Sequence, residues 1–427
     1  MIDKILAVGI MVLVYALLVS ERVHRTTAVL LGVVLMIGLR ILTVDEAVQF
    51  VAWEALGLIF GMFILVAALA ESGFFRWVGL HALRAARYRP PRIFLLFCGL
   101  AAFLAAFMDS ITVMIFMASM TLEVCRGLGL RPTAFLIGQI TSANIGGAAT
   151  MVGDPPNVII GTSLNLGFID FVTNTGVIAV VVFAANLGFF YAYFLRTTSR
   201  APTREPQPAL ADGGTLDPFS AIKDIRLMRI SLVAFAFTVT LLVIHQVLDL
   251  VVAFAAVLGA TIVLILGGRD MPELVSKIDW HTLLFLGGLF VIVGGLEKTG
   301  VLQDIAHHLG GLAGGNRALL LTVILWPAAL LSSVLDNVPF TAAMVPVIRD
   351  LSATQGVPIG PLAWTLAIGA DMGGNATPIG ASANVVGLAV AEKGGVHVTW
   401  REYLRVAVPA TLIAIALANV ILVLRYG

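Results

Sequence analysis

Ser142-Ala-Asn-Ile-Gly-Gly-Ala-Ala-Thr-Met-Val-Gly-Asp-Pro-Pro-Asn157 sits inside an apolar segment long enough to enter a bilayer, yet it is crowded with residues that interrupt helices. Gly146, Gly147 and Gly153 loosen the backbone, and Pro155 and Pro156 remove two amide donors. Asp154 followed by Pro155 reads as an N-cap with proline in the first helical turn, so a second half-helix is expected to start there. Unwound backbone at membrane depth is tolerated only where protein or a wet cavity satisfies its polar groups. The stretch is therefore a candidate binding site within a broken helix.

The pattern returns 227 positions later in Ala370-Asp-Met-Gly-Gly-Asn-Ala-Thr-Pro-Ile-Gly-Ala-Ser-Ala-Asn384. Gly146 and Gly147 fall on Gly373 and Gly374, Thr150 on Thr377, Gly153 on Gly380, and Asn157 on Asn384. Upstream the register holds without a gap: Asp109 lands on Asp336, Trp53 on Trp280, Phe63 on Phe290 and Gly73 on Gly300. Chance matches of Leu, Ala, Gly and Val are common in apolar chains. Coincidence does not readily align two tryptophans, two aspartates and two Gly-Gly-x-x-Thr runs. The chain reads as a duplication, and paired interrupted segments in corresponding halves point to a transporter binding site.

Apolar residues make up 59% of the 427 and charged residues 12%, far from a soluble globular composition. A polytopic, all-α membrane protein is expected, with the lipid bilayer of the inner (plasma) membrane as its surroundings. No basic stripe lies free of the membrane loops, so no nucleic-acid partner is expected. Cys98 and Cys125 have no CxxC or metal-ligand spacing and read as small buried hydrophobes, so no metal or cofactor is expected. The first apolar run, from Ile5, lacks a small-residue cleavage site and reads as a retained helix.

Apolar runs predict helices at Ile5–Val19, Ala28–Leu42 and Trp53–Ala70, then an amphipathic interfacial segment at Phe74–Arg92. Ile93–Met108 and Ile111–Leu122 are short for crossings that need ~20 residues, so they read as a re-entrant hairpin with Asp109 at its bend. Thr133–Gly153 with Pro155–Leu164 forms the broken helix, and Phe171–Leu195 closes the half. The second half repeats the plan through Leu227–Val247, Leu250–Leu266, Trp280–Leu296, a hairpin Ala318–Ile348, a broken helix Pro361–Val390 and Leu404–Leu424. Residues 1–195 are thus one repeat, 196–226 a polar cytoplasmic linker, and 227–427 the other repeat.

Five transmembrane helices plus one re-entrant hairpin is an odd plan, so the second repeat enters inverted. With both termini outside, only Lys4, Arg40, Lys298, Arg317, Arg349 and Arg425 of the 26 Lys and Arg lie outside. The remainder, including Arg76, Arg84, Arg87, Arg89, Arg92, Arg200, Arg204, Arg401 and Arg405, lie on the cytoplasmic side, as the positive-inside rule requires.

Carboxylates at membrane depth are costly and functional by default. Asp109, Asp154, Asp336 and Asp371 are the candidates; Asp154 reads equally well as a helix cap alone. Asp371 replaces Asn144 of the first half and is the asymmetric member, suited to a proton or cation. Asn144, Asn157, Asn337, Asn375, Asn384, Thr112, Thr150, Thr377, Ser110 and Ser382 supply neutral donors and acceptors that can replace a hydration shell at interrupted helices. A sodium ion near Asn144 and Asp371 fits that donor set. His245, His281, His307 and His308 read as interfacial spectators. No Lys or Arg is expected in the site, so nothing there offers a fixed cation to a polyanion. No nucleophile–base constellation marks an enzyme.

At these residues the chain resembles the ion transporter superfamily. Asn144-Ile-Gly-Gly-x-x-Thr-x-x-Gly-Asp-Pro-Pro-Asn157 and Gly373-Gly-Asn-x-Thr-x-Ile-Gly-x-Ser-Ala-Asn384 look like its arsenite permease and P-protein branch. The resemblance implies two inverted repeats, a scaffold, a mobile part holding hairpins and broken helices, elevator-like alternating access, and often a homodimer. The related sodium/dicarboxylate symporters carry Ser-Asn-Thr at each hairpin tip, where this chain has Asp109-Ser110-Ile111-Thr112 and Asp336-Asn337-Val338-Pro339. A carboxylate facing a dianion repels it unless protonated. The leading expectation is proton-coupled efflux of arsenite or antimonite, small inorganic solutes, with an Asp carrying the coupling H+. Sodium/proton antiport is the alternative, and sodium-coupled dicarboxylate or anion uptake comes third.

Overall fold

The structure, a computed structural model, describes residues 2–20, 22–198, 217–268 and 271–427, and no strand occurs among them. Among the described residues six helices are long and apolar enough to cross a membrane: Trp53–Ser72, Ser110–Gly127, Phe168–Leu195, Ile225–Ile244, Trp280–Lys298 and Trp400–Tyr426. The rest includes shorter apolar helices such as Arg25–Gly38 and Val252–Leu266. The chain is an all-helical polytopic membrane protein.

Elements pair at the sequence offset. Ile2–Ser20 corresponds to Ile225–Ile244, Arg25–Gly38 to Val252–Leu266, Trp53–Ser72 to Trp280–Lys298 and Phe74–Ala85 to Val301–Ala313. Even local devices recur. The Trp53 indole donates to the Val48 carbonyl at 3.2 Å, and the Trp280 indole to that of Val275 at 3.1 Å. Trp53–Ser72 ends on Gly73 (φ +88°) and Trp280–Lys298 leads into Gly300 (φ +78°), left-handed corners that only glycine adopts without strain.

Two packing groups emerge. The frame contains Ile2–Ser20, Arg25–Gly38 and Trp53–Ser72 with Ile225–Ile244, Val252–Leu266 and Trp280–Lys298; Trp53–Ser72 lies on Val252–Leu266, and Arg25–Gly38 on Trp280–Lys298. The inner group contains two helical hairpins, Pro90–Ala105 with Ser110–Gly127 and Arg317–Ser332 with Asn337–Gln355. It also contains the half-helices Thr133–Gly147, Pro155–Leu164, Ile359–Gly373 and Ser382–Lys393. The halves interlock: Ser110–Gly127 packs on Ser382–Lys393, and Asn337–Gln355 on Pro155–Leu164. Arg126 donates to the Gly394 carbonyl, and Arg349 to that of Ser163 at 2.9 Å, tying each hairpin to the other half's broken helix.

Several boundaries differ from the sequence reading. Phe74–Arg92 is not one helix. Phe74–Ala85 stops before Arg87 and Tyr88, both at positive φ, and Pro90, Pro91 and Arg92 start the first hairpin arm because proline suits a helical first turn. Phe75, Gly79, Leu80 and Leu83 are buried, and Arg76 pairs with Glu123 at 2.8 Å, so this segment packs on the protein through one face. The second arm of that hairpin runs over Ser110–Gly127, longer than Ile111–Leu122, since its polar end finds partners of this kind. Thr133–Gly147 ends six residues before Gly153, leaving 148–154 unwound. Of the expected linker, 199–216 lie outside the described residues, and so do Arg200 and Arg204 of the charge count. The described end forms a turn at Pro218–Ala221, and the Lys223 amide donates to the Ser72 carbonyl at 2.9 Å.

Lys298 holds Glu46 in the loop helix Val44–Phe50 through contacts of 2.6 and 2.7 Å. With the Thr43 capping bonds, this takes the Glu46 carboxyl below its ordinary range, to about 2. A depressed carboxyl stabilises the fold fully above its unfolded value of about 4.3, and that contribution is lost as pH falls toward 2. About a third of the Glu46 side chain is open to solvent, and screening keeps the effect small. Thermal unfolding of Glu46→Gln should show a slight deficit against wild type at pH 7 that closes below about pH 4.

Candidate functional site

Both broken helices are held open by the same devices. Asn157 Nδ2 donates to the carbonyls of Gly147 (3.0 Å) and Thr150 (2.9 Å), while Asn384 Nδ2 donates to those of Gly374 and Thr377 (both 2.8 Å). Each asparagine thus satisfies the orphan carbonyls that unwinding creates. Thr150 donates to the Ala106 carbonyl, and Thr377 to that of Ser333 at 2.5 Å, fastening each break to its hairpin turn. Gly146 lies against the Ala102 backbone and Gly373 against that of Ala329, leaving no room for a Cβ. Gly147 abuts the Asp154 carboxylate, and Gly374 abuts Gly380. These residues build the breaks.

The acidic residues meet at the hairpin tips. Asp109 caps Ser110–Gly127 through a 2.8 Å bond from the Thr112 amide, while its buried Oδ1 has no hydrogen-bond partner. Asp154 occupies the N-cap position before Pro155 but makes no side-chain cap bond. Its Oδ1 accepts from Ser110 Oγ at 2.6 Å and from the Ser110 amide at 3.3 Å, because two prolines leave the adjacent helix start poor in donors. The capping reading of Asp154 is thereby corrected.

In the second half Asn337 Nδ2, the counterpart of Ser110, donates to Asp371 Oδ1 at 3.1 Å, and the buried Asp371 Oδ2 has no partner. Each hairpin tip therefore holds one carboxylate, but after the break in the first half and before it in the second. Asn144 Nδ2 joins the breaks, donating to Asn375 Oδ1 and Asn384 Oδ1 at 2.8 Å each, and its own Oδ1 is unpartnered. Asp336 caps Asn337–Gln355 through Val338 and accepts from Ser382 Oγ at 2.9 Å.

A cavity of about 450 Å³ reaches this cluster, lined by Tyr15, His24, Arg25, Asp279, Asp336 and Ser382 among others. A narrower pocket continues from Arg25 and Ser382 to Asp109, Ser110, Asp154 and Asn337. A groove of about 530 Å³ beside Lys4 and Asp304 shares none of the acidic or amide cluster. The lining overturns the expectation of a site without Lys or Arg. Arg25 enters it, donating to Ser382 Oγ at 3.2 Å and Thr282 Oγ1 at 2.9 Å.

Arg25 reads in sequence as one more loop charge, but it opens the helix Arg25–Gly38, where the dipole disfavours a cation; that misfit is the available signal. Asp279 and Tyr403, whose hydroxyl donates to the Asn375 carbonyl at 3.2 Å, carry no such signal. His281, a spectator on the sequence reading, has its ring 4.6 Å from that of His24, a cavity-lining residue. Among the described residues no cluster of three or more His, Cys, Asp or Glu has metal-binding geometry.

Known proteins share this organisation. Solved structures of the YdaH transporter of Alcanivorax borkumensis and of MtrF of Neisseria gonorrhoeae have the same fold. YdaH superposes with a TM-score of 0.56 at 14% identity, over 91% of this chain and 88% of that one. MtrF, described as illuminating a class of antimetabolite efflux pumps, superposes with a TM-score of 0.62 at 14% identity, over 92% and 84%. An uncharacterized transporter of Mycobacterium tuberculosis is 36% identical over 99% of both chains. The P protein of Homo sapiens is 30% identical over 96% of this chain and 58% of that protein. Residues 15–369 match the citrate transporter family. With interrupted helices, hairpins and relatives of this kind, the chain belongs to the citrate transporter family of the ion transporter superfamily, and it is a membrane transporter.

Proposed function

We propose that the protein is a proton-coupled exporter of small, uncharged or weakly ionised hydroxy solutes of the arsenite and antimonite class. One observation carries the reading: Asp154 and Asp371 lie buried and Asp109 half-buried beside neutral amides and hydroxyls, and Asp109 and Asp371 each keep a buried oxygen without a partner. A buried carboxylate oxygen without a partner is costly until a proton or cation reaches it. Ser110, Asn337 and Ser382 offer hydrogen bonds to replace those that a neutral trihydroxide makes with water.

Arg25 does not convert the cavity into an anion site, because Asp279 and Asp336 line it too and leave it without net positive charge. Alternating access follows if hairpins and broken helices move as one body against the frame, in elevator fashion, within two inverted repeats at 1–195 and 227–427. In this arrangement both termini face outward from the plasma membrane, and a homodimer is the expected assembly.

Sodium/proton antiport is the second reading. It is favoured by the unpartnered oxygens of Asn144 and Asp371, which together with unwound backbone are the donor types that hold Na+ in broken-helix transporters. Proteoliposomes with an imposed pH gradient separate the cases. Proton flux that requires arsenite supports the first reading, and flux driven by Na+ alone the second. Citrate or succinate uptake that requires sodium rejects both.

A further inference from the structure

Among the described residues, Arg25 is the only Lys or Arg in the linings of the cavity and the pocket below it. It is pinned to the frame helix Trp280–Lys298 in three ways. Its Nη2 donates to Thr282 Oγ1 at 2.9 Å and lies 3.7 Å from Asp279 Oδ2, and its guanidinium stands 5.6 Å from the centre of the Phe285 ring. Toward the inner group it has a single bond, from Nη1 to Ser382 Oγ at 3.2 Å. That hydroxyl donates to Asp336 Oδ2 at 2.9 Å, and Thr282 donates to Asp279 Oδ2 at 2.5 Å. A chain Asp279–Thr282–Arg25–Ser382–Asp336 results, with a carboxylate at each end, one cation in the middle, and the boundary between frame and inner group crossing it at Arg25–Ser382.

We propose that Arg25 is a tethered counter-cation that holds the unloaded inner group against the frame through Ser382 and Asp336, and so blocks the empty return step that would let protons leak. The role rests on the proton-coupled reading above. Any displacement of the inner group breaks the Arg25–Ser382 bond. The break also draws the Arg25 guanidinium away from the Asp336 carboxylate in a cleft where charges are screened less than in water. A solute that takes up the Ser382 hydroxyl removes that bond and frees the loaded inner group.

Other groups face Arg25. Tyr15 and His24 come from the first helix and the turn after it, Asp279 from the frame, and Asp109 and Asp154 from the inner group. His281 contacts His24. None of them bridges the two groups as Arg25 does. Arg25 is thus a positioning residue for coupling.

The test compares wild type, Arg25→Gln and Arg25→Lys in proteoliposomes without solute, at fixed pH, with an imposed membrane potential and an internal pH dye. Arg25→Gln should raise solute-free proton flux about tenfold, equivalent to about 1.4 kcal/mol on the barrier. Arg25→Lys should also leak, though less than Arg25→Gln, because it keeps the charge while one ammonium cannot span Thr282 and Ser382 as the planar guanidinium does. Adding Asp371→Asn to Arg25→Gln should abolish the leak. Solute-free flux at the wild-type level in Arg25→Gln, with only a raised half-saturation for solute, would make Arg25 a solute ligand and overturn the proposal.

Should Arg25→Gln fail to reconstitute, solute-free flux at the wild-type level in Arg25→Lys overturns it equally. The underlying reading fails separately, if the wild type moves no protons with any solute while Arg25→Gln still leaks.

Discussion

Asp109→Asn and Asp371→Asn should each reduce solute-dependent proton flux by about a hundredfold or more, to the level of liposomes lacking the protein. The structure says why folding should survive. Asp109 caps a helix through the Thr112 amide, and asparagine is an equally good cap. Asp371 is wholly buried with one bond, from Asn337, and one unpartnered oxygen, so an isosteric amide lowers the desolvation cost without opening a cavity. Both variants should elute from a sizing column as wild type does and unfold at an unchanged or slightly higher temperature. In Asp371→Asn, the Asn337 side chain can turn to present its oxygen to the new amide.

The two positions should differ in one respect. Asp109 lines the narrow pocket with Ser110 and Asp154, whereas Asp371 does not line it, so solute binding by the Asp371 variant should stay closer to wild type. Full proton-coupled transport by both variants would remove the carboxylates from the mechanism.

How much of this was legible in the chain depends on the distance over which each interaction acts. The offset between halves could be read because glycine, proline and aspartate at a break answer local backbone demands, and those demands recur wherever the break recurs. Gly146 and Gly373, Thr150 and Thr377, and Asn157 and Asn384 do the same work in the structure, on carbonyls at the same offset. Asp154 shows the limit. Its neighbours Pro155 and Pro156 make it look like a cap, while the residue that binds it, Ser110, lies 44 positions away and leaves no period to detect.

Arg25 is the extreme case, bonded to Ser382 across 357 positions and without a counterpart in the second half, where Val252 stands. A duplication displays what its halves share and conceals what only one possesses. In a secondary transporter, the unshared residues are those that can give the two faces different rules.

Gly146→Ala and Gly373→Ala should each destabilise the protein by about 1–3 kcal/mol and remove transport, with the loss visible as a fall of several degrees in the unfolding midpoint. A Cβ at Gly146 overlaps the Ala102 carbonyl, and one at Gly373 overlaps the Ala329 backbone. Both obstacles are main chain within a packed helical hairpin, so no rotamer change relieves them. The hairpin must shift, and with it the turn that carries Asp109 and Ser110 or Asp336 and Asn337.

Gly147→Ala makes the contrast. The atoms nearest its Cβ belong to the Asp154 carboxylate, the end of a side chain that can swing away. That variant should therefore keep most of its stability yet lose the Ser110–Asp154 bond, and so behave as a coupling mutant. Gly99→Ala, within the first hairpin arm but with open space around it, should be neutral or mildly stabilising. If all four unfold together and transport alike, the hairpins do not set the geometry of the breaks. If only Gly146→Ala and Gly373→Ala fall, the close approach of hairpin to broken helix is what brings each tip residue within reach of its carboxylate.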